Sequence, residues 1–203
     1  MKKELWFIGA GGHAHVVYSA LSDKDNFKGC FISKPDWEDQ FYGKPIYIEE
    51  PRDKSALYHI PVGDNRSRQK LAQMYAHLTW QTIIHPSAIV DPTAEIAPGA
   101  FIGPGAIINP HAVIGAHAII NSGVIIEHHN KIGAFSHICP GSVLAGTVSI
   151  GEGVIVGANS TIIPNCSVGD WTVIGASSTV LSDLGADLLC VGTPCREKSK
   201  TSA

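Results

Sequence analysis

From Ile84 onward the chain keeps a strict period of six. An aliphatic side chain falls at Ile84, Val90, Ile96, Ile102, Ile108, Ile114 and Ile120. The run continues through Ile126, Ile132, Ile138, Leu144, Ile150, Val156, Ile162, Val168 and Ile174 to Val180 without a missed step. The residue two before each is small or modest: Ala88, Ala94, Ala100, Ala106, Ala112, Ala118 and Val124, then Asn130, Ser136 and Ser142. Strand alternation turns both of these inward and the residue between them outward, and the other three residues of each hexapeptide make a corner. An amphipathic helix would need a period of 3.6. The pattern therefore predicts a parallel β-helix, and its unbroken register leaves no room for a long loop between Ile84 and Val180.

Residues 1–80 carry a different pattern. Leu5 to Gly9 reads as a buried strand, Gly9-Ala10-Gly11-Gly12-His13 as a glycine-rich turn, and Ala14 to Leu21 as a helix. Short strands are expected near Gly29–Ile32, Pro45–Ile48 and His59–Gly63, and a second helix capped by Asp64-Asn65 runs to about Ala76. Strand, turn and helix in this order suggest a Rossmann-like α/β domain over 1–80, joined near Trp80–Ile84 to an all-β domain over 81–203.

Composition narrows the classes. With 203 residues, 44% hydrophobic and 16% charged, the chain is globular rather than disordered. A formal charge of -3 implies no nucleic-acid partner. The apolar run after Lys3 is too short for a signal peptide, and nothing approaches a membrane span. Cys30, Cys139, Cys166, Cys190 and Cys195 form no metal-like pair and read as free thiols in a reducing compartment, the cytoplasm.

Two stretches carry chemistry. The turn at Gly9–His13 opens a helix, where glycine lets backbone approach a phosphate and the helix N-terminus favours an anion; the bland alternative is a plain tight turn. Glu127-His128-His129-Asn130 fills one corner of an otherwise aliphatic repeat. Transfer of an acyl group to an amine needs a base to take the amine's proton, and a histidine suits that task. No Ser or Cys has a triad setting, so direct attack is favoured over an acyl-enzyme. A zinc site is the competing reading, but His128 and His129, as sequence neighbours, are expected to diverge. His111 and His117 fall at corners and read as solvated.

The domain order, Gly-Ala-Gly-Gly-His after the first strand, and the hexapeptides resemble the PglD/NeuD-type sugar acyltransferases. Asn121, Glu127-His128, Ile132-Gly133, His137, Pro140-Gly141 and Val191-Gly192-Thr193-Pro194 belong to the same likeness. The resemblance implies a left-handed β-helix with three hexapeptides to a triangular coil. It implies acetyl-CoA as co-substrate, no metal, and a nucleotide-linked amino sugar as acceptor for N-acetylation. Sugar O-acetylation is the nearest alternative; a β-helical metalloenzyme and a non-catalytic trimeric module stand further off. By the same resemblance His128 is the general base, with Asn121 and His137 in its site and His137 near the thioester. Ala158 and Ala176 line the cofactor channel, and Gly11, Gly12, His13 and Gly63 contact the nucleotide sugar. The family has an acidic residue directly after the base; here His129 stands there and Glu127 is the candidate substitute. Acidic residues that hold the nucleoside after the second strand are replaced by Ser33-Lys34.

Read every 18 residues, the outward positions sort into faces. Ile89, Ile107, Ile125 and Val143 form one apolar face; Phe101, Ile119, His137, Ile155 and Val173 form another; Glu95, Val113, Lys131, Ser149 and Ser167 form a polar one. Two different apolar faces suit a head-to-tail homotrimer, against the plainer reading of ordinary β-branched strand residues.

Overall fold

The computed structural model describes residues 3–33 and 40–200. In the first part, β1 (Leu5–Ile8) pairs in parallel with β2 (Phe27–Phe31) on one side and with β5 (Leu57–His59) on the other. Adding β3 (Gln40–Phe41), β4 (Lys44–Tyr47) and β6 (Thr79–Trp80) gives the order β3-β4-β2-β1-β5-β6, in which only β3 runs antiparallel to its neighbour. The helices are α1 (Gly12–Ser19) and α2 (Asn65–Met74). Asp64 caps α2 by accepting the Ser67 N–H at 2.8 Å, as the sequence predicts.

Most boundaries shift by one or two residues from the sequence reading, and the notable differences are at β5 and α1. The strand expected at His59–Gly63 instead covers Leu57–His59, where it pairs with β1: Leu5 faces Leu57 and Phe7 faces His59. Residues 60–63 then leave the sheet, with the Val62 N–H bonded to the Ile60 carbonyl at 2.9 Å, and carry Gly63 toward the second part of the chain. The other difference is α1, which starts two residues early, because Gly11 with φ -76 and ψ -172 is already the extended residue before the helix.

The second part is a parallel β-helix. Two-residue strands recur at six-residue intervals from β7 (Ile83–Ile84) to β23 (Thr179–Val180) and stack into three sheets, Phe101 over Ile83 and Ile119 over Phe101. The inward column is buried from Ile102 upward; Ile84, with no coil beneath it, is 42% exposed. Each buried aliphatic side chain contributes roughly 2 kcal/mol. Where the second inward column turns polar, every hydroxyl or amide finds backbone. Ser136 Oγ donates to the Gly151 carbonyl at 2.7 Å and accepts from Val154 N–H, and Asn130 Oδ1 accepts the Val148 N–H at 2.8 Å. A hairpin of β24 (Leu188–Val191) and β25 (Arg196–Lys200) closes the far end and buries Cys190 and Cys195.

The two parts share a core, and this corrects the reading of the faces. Phe101 and Ile119 are 0% and 1% exposed because Phe7, Ala14 and Val17 of the same chain pack on them. That end of the face is therefore not free for a neighbour; Ile155 and Val173 further along it are half-buried. On the other apolar face Ile89 is 65% exposed, and Ile107, Ile125 and Val143 are half-buried.

The corner at residues 117, 135 and 153 takes α2. His117 is buried, not solvated: its ring lies parallel to Phe135, centroids 5.4 Å apart, with Trp80 edge-on. Sequence periodicity identifies a corner but not what lands on it. Arg68 of α2 is 1% exposed, and all five of its N–H donors have acceptors. Nε donates to the His117 carbonyl at 2.8 Å, Nη2 to the Phe135 carbonyl at 2.7 Å and to Asn65 Oδ1, and Nη1 to the Val62 and Gly63 carbonyls. Asn65 Nδ2 reaches the Gly153 carbonyl at 3.0 Å, and the Arg66 guanidinium lies 3.9 Å from the centre of the Trp171 ring.

Replacing Arg68 by Met would strand the His117 and Phe135 carbonyls in a dry junction. The expected loss is about 3–5 kcal/mol, read from urea unfolding. Lys at 68 should rescue only part of it, because one ammonium cannot span that fork; a wild-type midpoint for Arg68→Lys would show that the fork geometry is not needed.

Candidate active site

At the domain junction the structure brings together His13, Gly63, Asn121 and His137. Asn121 Oδ1 accepts the Ser122 backbone N–H at 2.8 Å, so its Nδ2 is the end that meets His137 Nε2 at 3.0 Å. An amide NH2 donates; Nε2 of His137 therefore accepts, and the ring carries its proton on Nδ1. The His13 ring lies 6.1 Å from that of His137 and edge-on to Phe101, and its buried Nε2 has no hydrogen-bond partner. A Cβ on Gly63 would lie 4.0 Å from His13 Cβ.

These histidines are held neutral. Burial, helped by the Arg68 charge, lowers His13 to about 4 and His117 to about 4. Burial brings His137 to about 4, with Arg68 and His13 pushing the same way and the Gly63 carbonyl opposing. His59, bonded through Nδ1 to the Gln81 carbonyl at 2.9 Å, is lowered by burial to about 3.

Beside the junction, a cavity of about 500 Å³ opens at the C-terminal ends of β1 and β2. Gly9, Phe31, Ser33, Glu49, Glu50 and Tyr75 line it. This is where an open parallel sheet presents a crevice to ligands. Ser33 is exposed; Lys34 lies outside the described residues. Gly11 and Gly12 are exposed, and a Cβ on either would meet nothing within 4 Å. Space at the α1 N-terminus is thus open toward solvent rather than filled by protein.

Asn121 starts the corner between the His137 and Ile125 faces. Ala158 and Ala176 stack on that same corner, their coils joined by the Ser177 N–H to the Ala158 carbonyl at 2.8 Å. His128 is elsewhere, on the corner between the Ile125 and Lys131 faces. In a triangular section that corner is opposite the His137 face, so one chain does not bring His128 and His137 together. His128 and His129 do not diverge: their Nδ1 atoms are 3.1 Å apart. The Glu127 side chain is not the partner; among the described residues its carboxylate makes no hydrogen bond to His128. No group of three or more His, Cys, Asp or Glu among the described residues is placed to hold a metal ion.

Known proteins share this whole architecture. The PglD N-terminal domain matches residues 4–75, and the bacterial transferase hexapeptide matches 93–128, 130–164 and 147–182. A variant of perosamine N-acetyltransferase from Caulobacter crescentus, solved in complex with CoA and GDP-perosamine, is 32% identical, with 98% of this chain and 99% of that one covered at a TM-score of 0.91. The chain belongs to the PglD-type, hexapeptide-repeat sugar acyltransferases. The acetyltransferase domain of PglB from Neisseria gonorrhoeae, in complex with acetyl coenzyme A, is 25% identical over 98% of this chain and 100% of that one, with a TM-score of 0.88. WeeI from Acinetobacter baumannii, 18% identical with 97% and 100% covered and a TM-score of 0.81, shares the fold. No curated protein matches the sequence. Among the described residues no helix is long and apolar enough to cross a membrane.

Sequence reasoning about this acyltransferase missed Arg68 and His59, and it took the buried His117 for a solvated corner residue. The only available signal was a cationic residue three after Asn65 on a short helix, which says nothing about where that helix docks.

The neutral histidines give the acyltransferase a pH signature. Each has a folded value below its unfolded value near 6.5, so between about 6.5 and about 4 the unfolded chain binds more protons and stability falls as pH falls. The stabilisation is fully present above 6.5. Each histidine contributes a slope of at most about 1.4 kcal/mol per pH unit in that window. Urea midpoints taken from pH 7 to 4 should drop steeply, and His117→Phe, which keeps the stack on Phe135, should flatten the slope by about one proton. A flat wild-type profile would refute the assignment.

Proposed function

We propose that this acyltransferase moves the acetyl group of acetyl-CoA to the amino group of a nucleotide-linked amino sugar. The observation that carries the reading is the junction itself: the glycine-rich turn and Gly63 of one domain meet Asn121 and His137 of the other. The relative solved with CoA and GDP-perosamine covers both domains. In this reading the nucleoside occupies the cavity near Ser33, the phosphates lie at Gly11 and Gly12, and His13 Nε2 takes a polar group of the sugar. Acetyl-CoA follows the corner of Ala158 and Ala176, its thioester near His137.

The sugar amine attacks the thioester carbonyl carbon, the C–S bond breaks, and the amine's proton leaves through His128 to the CoA sulfur. Since His128 and His137 lie on opposite sides of one chain, the complete site takes His128 from one subunit and His137 from its neighbour. A homotrimer that packs the Ile125 face of one copy beside the His137 face of the next satisfies this requirement and covers the exposed apolar column. Domain roles follow: residues 1–80 bind the nucleotide sugar and 81–203 bind acetyl-CoA.

Thiol release from acetyl-CoA is the assay, with GDP-, UDP- and dTDP-linked amino sugars against their hydroxyl counterparts. Turnover only with amino sugars is expected, and turnover with hydroxyl sugars alone would mean O-acetylation. His128→Ala should lower kcat by about 10²-fold or more. Mixing inactive His128→Ala and His137→Ala proteins, with exchange confirmed by mass, should restore activity, and no recovery would place both histidines in one subunit's site.

A further inference from the structure

We propose that His129 and Gly146 are positioning residues for His128: one holds the imidazole through Nδ1, the other leaves the space in which the ring lies. The proposal rests on His128 being the base.

Adjacent residues in an extended segment point to opposite sides. At this corner they do not, because His129 has a left-handed φ of 60, which sets its side chain beside that of His128. With Nδ1 atoms 3.1 Å apart, one proton must lie between the rings: two bare nitrogens would repel, and so would two N–H groups. A base working through Nε2 keeps that lone pair free, so His128 carries its proton on Nδ1 and donates it to His129. His129 then holds its own proton on Nε2. Below it, the His111 ring lies 5.0 Å away.

Gly146 sits one coil above His128. Its φ lies outside the left-handed region, so its backbone places no demand for glycine. Space does: a Cβ there would be 2.6 Å from His128 Cε1 and 2.7 Å from Nε2. The backbone cannot yield easily, since the His128 carbonyl accepts the Thr147 N–H at 2.9 Å and the His129 N–H bonds the Pro110 carbonyl at 3.0 Å. Any side chain at 146 would push the ring away from His129 and cover Nε2.

The pair has a chemical consequence. When His128 takes the amine's proton on Nε2 it becomes imidazolium, and its Nδ1–H to His129 becomes a charge-assisted hydrogen bond, stronger than the neutral one. A second proton, on His129, would remove the acceptor and set two like charges side by side.

Variants at 129 separate this role from a purely structural one, because Gly, Asn and Asp all tolerate the left-handed φ. His129→Gly removes the acceptor and should lower kcat about tenfold, with calorimetric binding of CoA unchanged. His129→Asn supplies Oδ1 and should retain several-fold more activity than His129→Gly. His129→Asp supplies a carboxylate that favours imidazolium, so the acid limb of the kcat–pH profile should move to higher pH, by about one unit. Gly146→Ala should lower kcat about tenfold with its unfolding midpoint measured alongside. The proposal is overturned if His129→Gly and His129→Asn are equally impaired, if His129→Asp leaves the acid limb in place, or if a folded Gly146→Ala turns over like wild type. An active His128→Ala would instead sink the assignment of the base, independently of these variants.

Discussion

One buried guanidinium holds the two halves of this molecule in register. Arg68 reaches from α2 to the carbonyls of His117 and Phe135 on successive coils of the β-helix and to Val62 and Gly63 on its own domain. Burial lowers its pKa to about 10, which leaves it charged at neutral pH. A cation that must stay charged in a dry place needs every donor met, and this docking of the domains meets all five. The same charge bears on His13, His59, His117 and His137 and helps to keep them neutral. Burial at the junction is the larger cause of that neutrality, and the Arg68 charge adds to it.

The β-helix contributes a ruler rather than chemistry. Each step of 18 residues returns a side chain to the same face one coil higher, so His137 stacks on Ile119 and Ala176 stands over Ala158. Residues that must face one ligand can be far apart in sequence without any loop to position them. The cost of so regular a frame is that a triangular coil separates its faces. A chain that needs both a corner and the opposite face in one site must find one of them on another copy.

Where the frame departs from its own rule, a side chain is being accommodated. Corners take left-handed residues as bulky as Phe135 and Trp171, which cost conformational energy and here give α2 rings to pack on. Gly99 and Gly153 make room for the rings of His117 and Trp171, and Gly146 for that of His128. These glycines are read by what occupies the space beside them, not by their φ alone.

Much of this was legible in the sequence. The period of six determined the coil, its inward columns and its unbroken length, because strand alternation and stacking are local and repetitive. The strand, glycine turn and helix at Leu5–Ser19, and the cap at Asp64, were legible for the same reason. What the sequence did not determine was everything that depends on which surface meets which. The Phe101–Ile119 column reads as an outer face and is covered by the chain's own first domain. His117 reads as solvated and is buried under α2, Arg68 carries no signal in the sequence and is the junction, and His129 turns toward His128 where neighbours were expected to diverge. Periodicity fixes the direction in which a side chain leaves the backbone; only tertiary packing decides what it finds there.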